Sequence, residues 1–332
     1  MTKSLAVIVP CFNEEEVIQE TYRRLKNILL STPNPSEIIF INDGSMDKTE
    51  LLLTEIAKKD NRVKVISFSR NFGHQRAVTA GINHCTTDLA VIIDADLQDP
   101  PELIPEMIKT LEENEAQVVY CVRKMRKGES LFKVWSAKVF YRFLNLFSEI
   151  RLPTDTGDFR LIDKSIIREF NRMHEKGKYI RGLIAWSGFK QVPFYYEREA
   201  RFAGETKYPF SKMVKLATTS MLYFSKKPLM LATTLGFVSV LIALLYGIWA
   251  AFGRIIGFTQ ADSGWTSLVV LIVFFGGIQL LTIGIMGAYI GNLFDEIKNR
   301  PEYIIEKKIN FSENTDSNNA VDLDTISKQR HK

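Results

Sequence analysis

The sequence predicts a doubly wound, mostly parallel α/β sheet followed by an amphipathic juxtamembrane helix and two membrane-spanning helices. Three observations predict it. Short apolar or β-branched runs alternate with stretches of helical periodicity through the first half of the chain, the pattern of repeated β-α units. Two runs without a charged residue, Leu229 to Gly253 and Ser263 to Phe294, each exceed the roughly 20 residues that cross a bilayer core. With 332 residues, 46% hydrophobic and 24% charged, the chain is too apolar for disorder and long enough for a sizeable domain with an appended segment.

The elements follow in order. Leu5 to Val9 reads as the first strand, ending at Pro10, with a helix from Glu14 to Leu30. Glu37 to Ile41, Val63 to Ser67 and Leu89 to Ile93 are further strands, with Leu51 to Lys59 a helix among them. Asp99, Pro100 and Pro101 read as a helix cap with proline at the first helical positions. Gln117 to Cys121 and Phe159 to Ile162 are later strands, and Gly188 to Tyr196 ends the sheet. Leu131 to Phe147 has the periodicity of an aromatic, basic helix. Phe210 to Phe224 spaces Phe210, Met213, Val214, Ala217, Met221 and Phe224 along one face, with Lys212 and Lys215 placed for lipid head groups, as an interfacial helix would. The expected divisions are 1–208 for the α/β domain, 209–227 for the juxtamembrane helix, 228–253 and 264–294 for the spans, and 295–332 for a cytoplasmic tail with a disordered end.

Charge sets the orientation. Lys226 and Lys227 precede the first span, Lys298 and Arg300 follow the second, and the link carries only Arg254 and Asp262. The positive-inside rule then puts both termini and the α/β domain on the cytoplasmic side of the membrane. Leu5 to Val9 is too short for the apolar core of a cleavable signal. The net charge of +5 gathers near the spans and is no nucleic-acid signature. Cys11, Cys85 and Cys121 lack metal-site spacing and read as free thiols. Gly276, Gly277, Gly284, Gly287, Ala288 and Gly291 permit close helix packing, within one chain or between copies as a homo-oligomer.

Chemistry concentrates at strand ends, where open α/β sheets bind ligands. Pro10, Phe12, Asn13 and Glu14 follow the first strand; Asn42, Asp43, Gly44 and Ser45 follow the second. Together they offer polar groups to one crevice suited to a base and ribose. Arg70 to Arg76 follows the third strand, with Gly73 allowing a close turn and Arg76 able to face phosphate. Asp94 and Asp96, one position apart after the fourth strand, are costly to hold together unless a cation joins them. Mg²⁺ or Mn²⁺ carrying a diphosphate would do so. Neither GxGxxG after the first strand nor GxxxxGK[ST] is present, which argues against a dinucleotide dehydrogenase and a P-loop NTPase.

Val9 to Glu15, Asn42 to Ser45, Asp94 to Pro101, Gly157 to Leu161 and Arg201 to Tyr208 resemble the motifs of the inverting GT-A glycosyltransferases of family 2. Within them the chain is similar to the polyisoprenyl-phosphate branch, with its dolichol-phosphate mannose synthases and bactoprenol glucosyltransferases. The resemblance implies a nucleotide-sugar donor, UDP-glucose first, and a polyisoprenyl phosphate acceptor in the bilayer. Carried over by motif, Pro10, Phe12, Glu14 and Asp43 would hold the nucleoside, Asp94 would sit by ribose or diphosphate, and Asp96 would ligate metal. Gly157-Asp158 stands where the dolichol branch has Ser-Gly, a departure favouring the bactoprenol type. It leaves Asp155 or Asp158 as the acidic residue facing the reacting centre, with Asp158 preferred. Arg201 and Lys207, and more weakly Arg160, are candidates to draw in the acceptor phosphate.

The second pKa of a phosphate monoester lies near 6, so a polyprenyl phosphate is already largely dianionic at neutral pH and can attack without a strong base. The implied reaction is a single displacement with inversion. Two other classes stand beside it: a membrane-anchored polysaccharide synthase, weakened by the missing Gln-x-x-Arg-Trp, and a non-enzymatic membrane adaptor, which has little need of Asp94 and Asp96. A phosphatase of the DxD type is disfavoured by Leu97-Gln98 after Asp96.

Overall fold

The computed structural model describes residues 3–31, 35–123, 156–176, 178–197, 227–256 and 264–311. These fall into two compact units, one carrying the sheet and one carrying the two long apolar helices. The expected helices at 131–147 and 210–224, and the residues Asp155, Arg201 and Lys207, lie outside the described residues.

The sheet unit runs β1 (Leu5–Cys11), α1 (Ile18–Ser31), β2 (Ser36–Asn42), α2 (Thr49–Lys59), β3 (Val63–Phe68), α3 (His74–Asn83), β4 (Leu89–Ile92), a 3₁₀ turn at Pro101–Leu103, α4 (Ile104–Glu113), β5 (Val118–Arg123), β6 (Thr156–Asp163), α5 (Lys164–Arg172), α6 (Ile180–Trp186) and β7 (Gln191–Tyr196). The second unit is α7 (Lys227–Ile256) and α8 (Trp265–Ile297), after which β8 (Ile305–Ile309) rejoins the sheet. Strand order is β7-β5-β6-β4-β1-β2-β3-β8. The central β3-β2-β1-β4 block is parallel, and β6 and β8 run antiparallel to their neighbours. The doubly wound, mostly parallel α/β sheet read from the sequence is therefore the fold.

The central strands are continuous apolar runs because helices cover both faces. Every residue of β1 and β4 is buried. On one side Leu5, Val7, Val9, Phe40, Val91 and Leu161 join Leu25, Leu53 and Met107 in a single core; each such fully buried side chain contributes about 1.5 to 3 kcal/mol. On the other side α3 lies so close to the sheet that a Cβ on Gly81 would stand 2.3 Å from Ile8 Cγ2. That approach sets the depth at which the first turn of α3 meets the strand ends.

Several boundaries differ from the sequence reading, and two of them bear on the strand ends. Pro10 does not end β1; it pairs in register with Ile41. Its missing N–H faces the β4 side, where Ile93 N has already closed the ladder on Ile8 O (3.1 Å), so no hydrogen bond is lost. Asp99 does not cap the following helix: the 3₁₀ turn has Pro100 at its cap and no side-chain cap bond, while Asp99, fully buried, accepts the hydroxyl hydrogen of Tyr196.

One unanticipated element is β8, in the stretch the sequence reading gave to a tail. It pairs Ile309 with Val65 and Lys308 with Ile66 along the β3 edge. Tyr303 stacks on Phe68 with ring centroids 5.0 Å apart and accepts a hydrogen bond from Asn83 (3.0 Å), and Asn310 Nδ2 donates to Ala57 O and Val63 O. Among the described residues, α7 and α8 contain the two segments long and apolar enough to cross a membrane, Lys227–Trp249 and Val270–Ile297. They pack on each other and expose large apolar side chains outward, among them Phe237, Val273 and Leu280, the surface expected where lipid replaces water.

Candidate active site

Parallel strands deliver their carboxyl ends to one edge of the sheet, and the loops there are tied together. After β1 and β2 the two loops interlock: Asn13 N donates to Ser45 Oγ (3.0 Å), Met46 N to Asn13 Oδ1 (2.8 Å), Glu14 N to Thr49 Oγ1 (2.9 Å) and Lys48 N to Glu15 Oε2 (3.0 Å). Gly44, at φ 66°, lets this loop press against the next: a Cβ there would sit 2.3 Å from the Arg70 carbonyl carbon. Asp43 accepts from Phe72 N (2.7 Å) and Gly73 N (2.9 Å), fixing the loop after β3. Burial raises the Asp43 carboxyl against the pull of those two bonds.

The structure thus brings Pro10, Phe12, Glu14 and Asp43 together at the carboxyl ends of β1 and β2. Pro10 is buried in β1, Phe12 and Glu14 are half-buried, and Asp43 acts in the protein itself as a loop latch. Arg76 is exposed on the first turn of α3, its Nη1 donating to Phe72 O (2.8 Å).

A second cluster adjoins it, and strand register explains why. β4 and β6 pair antiparallel with Ile92 opposite Arg160. Continuing that register sets Asp94 opposite Asp158, an arrangement of like charges that is unfavourable without a cation between them. His74 supplies one. Its Nε2 lies 3.0 Å from Asp158 Oδ2 and 3.8 Å from Asp94 Oδ1. Burial alone would lower the His74 pKa, but the hydrogen bond to Asp158 and the charges of Asp94 and Asp158 lift it to about 9, so the ring is an imidazolium at neutral pH.

Asp158 is also held by Arg181, whose Nε donates to Oδ1 at 2.7 Å while Nη1 donates to Thr156 O at 2.7 Å, and by Gln75 Nε2 at 3.3 Å on Oδ2. Burial would raise the Asp158 carboxyl; Arg181 and His74 outweigh it and hold the group well below the usual range. Arg160 is buried, its Nη2 donating to Gly157 O (3.1 Å), and burial lowers its pKa to about 10 despite the charge of Asp158. It lines the interior beneath the cluster.

Sequence reasoning missed three members. His74 and Gln75 stood inside a quoted motif without a role, and Arg181 went unmarked. One signal for Arg181 existed: a cation in the first turn of an apolar helix opposes the helix dipole and calls for an anionic partner.

The fit to a divalent cation rests on Asp94. Its side chain is 29% exposed. Burial raises its carboxyl; His74 opposes this, and the carboxylates of Asp158, Asp99 and Asp96 push it further up. Excess negative charge at a partly open oxygen donor is what a hard cation relieves. Asp96 is nearly enclosed and accepts from Gln98 N through Oδ1 (3.1 Å). Among the described residues no three His, Cys, Asp or Glu side chains form a cage, and Mg²⁺ commonly uses one or two carboxylates, completing its shell with water and substrate phosphate. The residues fit such a cation.

Comparison with known proteins adds the family. A sequence model of glycosyl transferase family 2 matches residues 6–170. A protein of Bacillus subtilis (strain 168) called uncharacterized glycosyltransferase YkcC is 48% identical over 303 residues, spanning 91% of this chain and 93% of that protein. A bactoprenol glucosyl transferase of Shigella phage SfII is 37% identical over 303 residues, spanning 91% and 97%. The solved structure of glucosyl-3-phosphoglycerate synthase from Mycobacterium tuberculosis with Mn²⁺, UDP-glucose and phosphoglyceric acid aligns at TM-score 0.45 and 19% identity, over 66% of this chain and 78% of that one, too loosely to place any residue. With close similarity along nine-tenths of its length, the chain is a glycosyltransferase and belongs to glycosyl transferase family 2.

Proposed function

We propose that this glycosyltransferase moves a hexose, glucose from UDP-glucose in the first instance, onto the phosphate of a polyisoprenyl phosphate such as undecaprenyl phosphate. The observation that carries the reading is the Asp94–His74–Asp158–Arg181 cluster at the carboxyl edge of the sheet, in a chain with two membrane-length helices and bactoprenol glucosyl transferases among its relatives. The donor would lie across the strand ends, its nucleoside against Pro10, Phe12, Glu14 and Asp43, its diphosphate toward Arg76 and Asp94. Mg²⁺ or Mn²⁺ held by Asp94 and Asp96 would stabilise charge on the departing nucleoside diphosphate.

In the reaction an oxygen of the acceptor phosphate forms a bond to the anomeric carbon, while the bond from that carbon to the donor's β-phosphate oxygen breaks and its electron pair leaves with the nucleoside diphosphate. A dianionic phosphate needs no base to attack. The lone pairs of Asp158 are already engaged by His74, Gln75 and Arg181. Its task is therefore to hold the His74 imidazolium in a preorganised position beside the reacting phosphates, with its own carboxylate fixed by Arg181. Arg201 and Lys207 remain the proposed acceptor-phosphate contacts and Asp155 the alternative acid. Lys226 and Lys227 before one span, with Lys298 and Arg300 after the other, support a catalytic unit on the cytoplasmic face.

The test is transfer of label. Purified protein, polyprenyl phosphate, Mg²⁺ and a panel of labelled nucleotide sugars should give organic-phase label from UDP-glucose. No organic-phase label from any sugar would overturn the reading.

A further inference from the structure

The transfer mechanism leaves Gln75 without a part, yet its side chain is placed with unusual economy. Its Nε2 donates to Asp158 Oδ2 at 3.3 Å, and its Oε1 accepts from the backbone N–H of Ile180 at 3.2 Å. A carboxylate cannot donate and an ammonium cannot accept, so at neutral pH the amide satisfies both ends where a charged side chain of this length would fail at one. One end grips β6, the other the first turn of α6, and Gln75 itself belongs to the first turn of α3. Arg181, the next residue along α6, returns to β6 through Nε on Asp158 Oδ1 and Nη1 on Thr156 O, both at 2.7 Å. The bonds close a ring through three elements: Asp158, Gln75, Ile180, Arg181 and back to Asp158.

Docking of the helices does not require this ring. α3 already buries Ala77, Val78, Ala80 and Ile82, and α6 buries Ile180, Leu183 and Ile184. Apolar contact is non-directional; what the ring adds is a fixed angle between α3, β6 and α6, and hence a fixed site for the Asp158 carboxylate and for the His74 ring that leans on it. We propose that Gln75 and Arg181 are positioning residues for glycosyl transfer, acting through Asp158 and His74 rather than by touching substrate. The claim rests on the transferase reading given above and deepens it.

The experiment uses the full-length protein in detergent with donor and polyprenyl phosphate. Gln75→Glu keeps the shape but sets a carboxylate against Asp158, and Arg181→Lys keeps the charge but loses the fork that serves two acceptors at once. Misplacement of this kind costs turnover, and kcat should fall about 10-fold or more in each variant, with the donor KM within about 2-fold. Melting temperature should stay close to that of the unmutated protein. The Gln75→Glu deficit should shrink as pH is lowered to about 5.5, because the introduced carboxyl, once protonated, donates to Asp158 as the amide did. If Gln75→Glu does not fold, Gln75→Met removes both bonds without adding charge and should show the same split between kcat and KM.

Unchanged kcat overturns the proposal. So does a kcat loss that follows the loss of melting temperature and keeps the same ratio to the unmutated protein at every pH. Failure of the unmutated protein to transfer any sugar overturns the transferase reading, and the positioning claim with it.

Discussion

Asp158→Asn removes one charge and almost no volume, so its consequences isolate the electrostatics of the cluster. In the folded protein His74 keeps its proton up to about pH 9, against 6.5 in ordinary surroundings. At about 1.4 kcal/mol per pH unit that gap amounts to roughly 3 kcal/mol, and because 37% of the ring is exposed, solvent screening reduces it to about 1 to 2 kcal/mol. The folded pKa lies above the unfolded one, so this contribution is complete below pH 6.5 and is lost as pH rises through 9. Asparagine at 158 leaves Asp94 as the nearest carboxylate drawing on the imidazolium, with a weaker pull from Asp43. The His74 midpoint should then fall by about one unit or more, and the variant should lose stability most clearly near pH 6, with the gap to the parent narrowing by pH 10. Part of the gap persists at high pH, since Arg181 loses its carboxylate partner as well. The chain has four histidines, so the ring C–H resonances of His74 are assignable by comparison with His74→Gln and can be titrated by NMR in the presence of a chelator. A His74 midpoint unmoved within about 0.3 units would refute the ion-pair account of this site.

Other substitutions probe the remaining features. Asp94→Asn should abolish transfer while leaving melting temperature equal or higher, because the carboxylate it removes is raised by burial and by three neighbouring carboxylates; a clear fall in melting temperature, or normal turnover, would contradict this. Gly44→Ala forces both a left-handed backbone and a 2.3 Å contact with backbone of Arg70, costing about 2 to 4 kcal/mol, and UDP titration should show weakened donor binding. Tyr303→Ala removes the ring stacked on Phe68 and the partner of Asn83, a loss of about 2 to 3 kcal/mol visible as a lower melting temperature. Tyr196→Phe takes the hydroxyl donor from fully buried Asp99 and should cost about 1 to 3 kcal/mol, read as a drop in the midpoint of denaturant unfolding.

The parts of the fold legible in the sequence are those set by local pattern. Leu5 to Val9 and Leu89 to Ile92 are apolar throughout because both faces of the central strands are covered, and polar residues ending such runs marked Asp43 and Asp94 as edge groups, whereas Asp158 came only from the likeness to a family motif. The parts set by tertiary register were not legible. Nothing near Arg181 in sequence announces that α6 starts beside β6, and the use of Gln75 depends on which backbone amide lies across from it. β8 was hidden for a different reason. Ile305-Glu-Lys-Lys-Ile309 has the charges of a solvated tail, yet lysines are common on edge strands, and its pairing is secured by neighbours outside the strand, Tyr303 against Phe68 and Asn310 against Ala57 and Val63. Pro10 was read as a strand end by the usual rule, which fails here because β4 stops before its missing N–H matters.

The position of β8 in the chain order bears on biogenesis. β3 emerges from the ribosome early, and its edge partner is translated only after both long apolar helices. At about 5 to 20 residues per second, the interval from Phe68 to Ile309 leaves that edge bare for roughly 10 to 50 seconds. During that time the nascent chain offers an open template for wrong pairings. Closure of the sheet is therefore a late event in synthesis, and a product stopped short of Ile305 would carry every side chain of the charged cluster on a scaffold still missing its outermost seam.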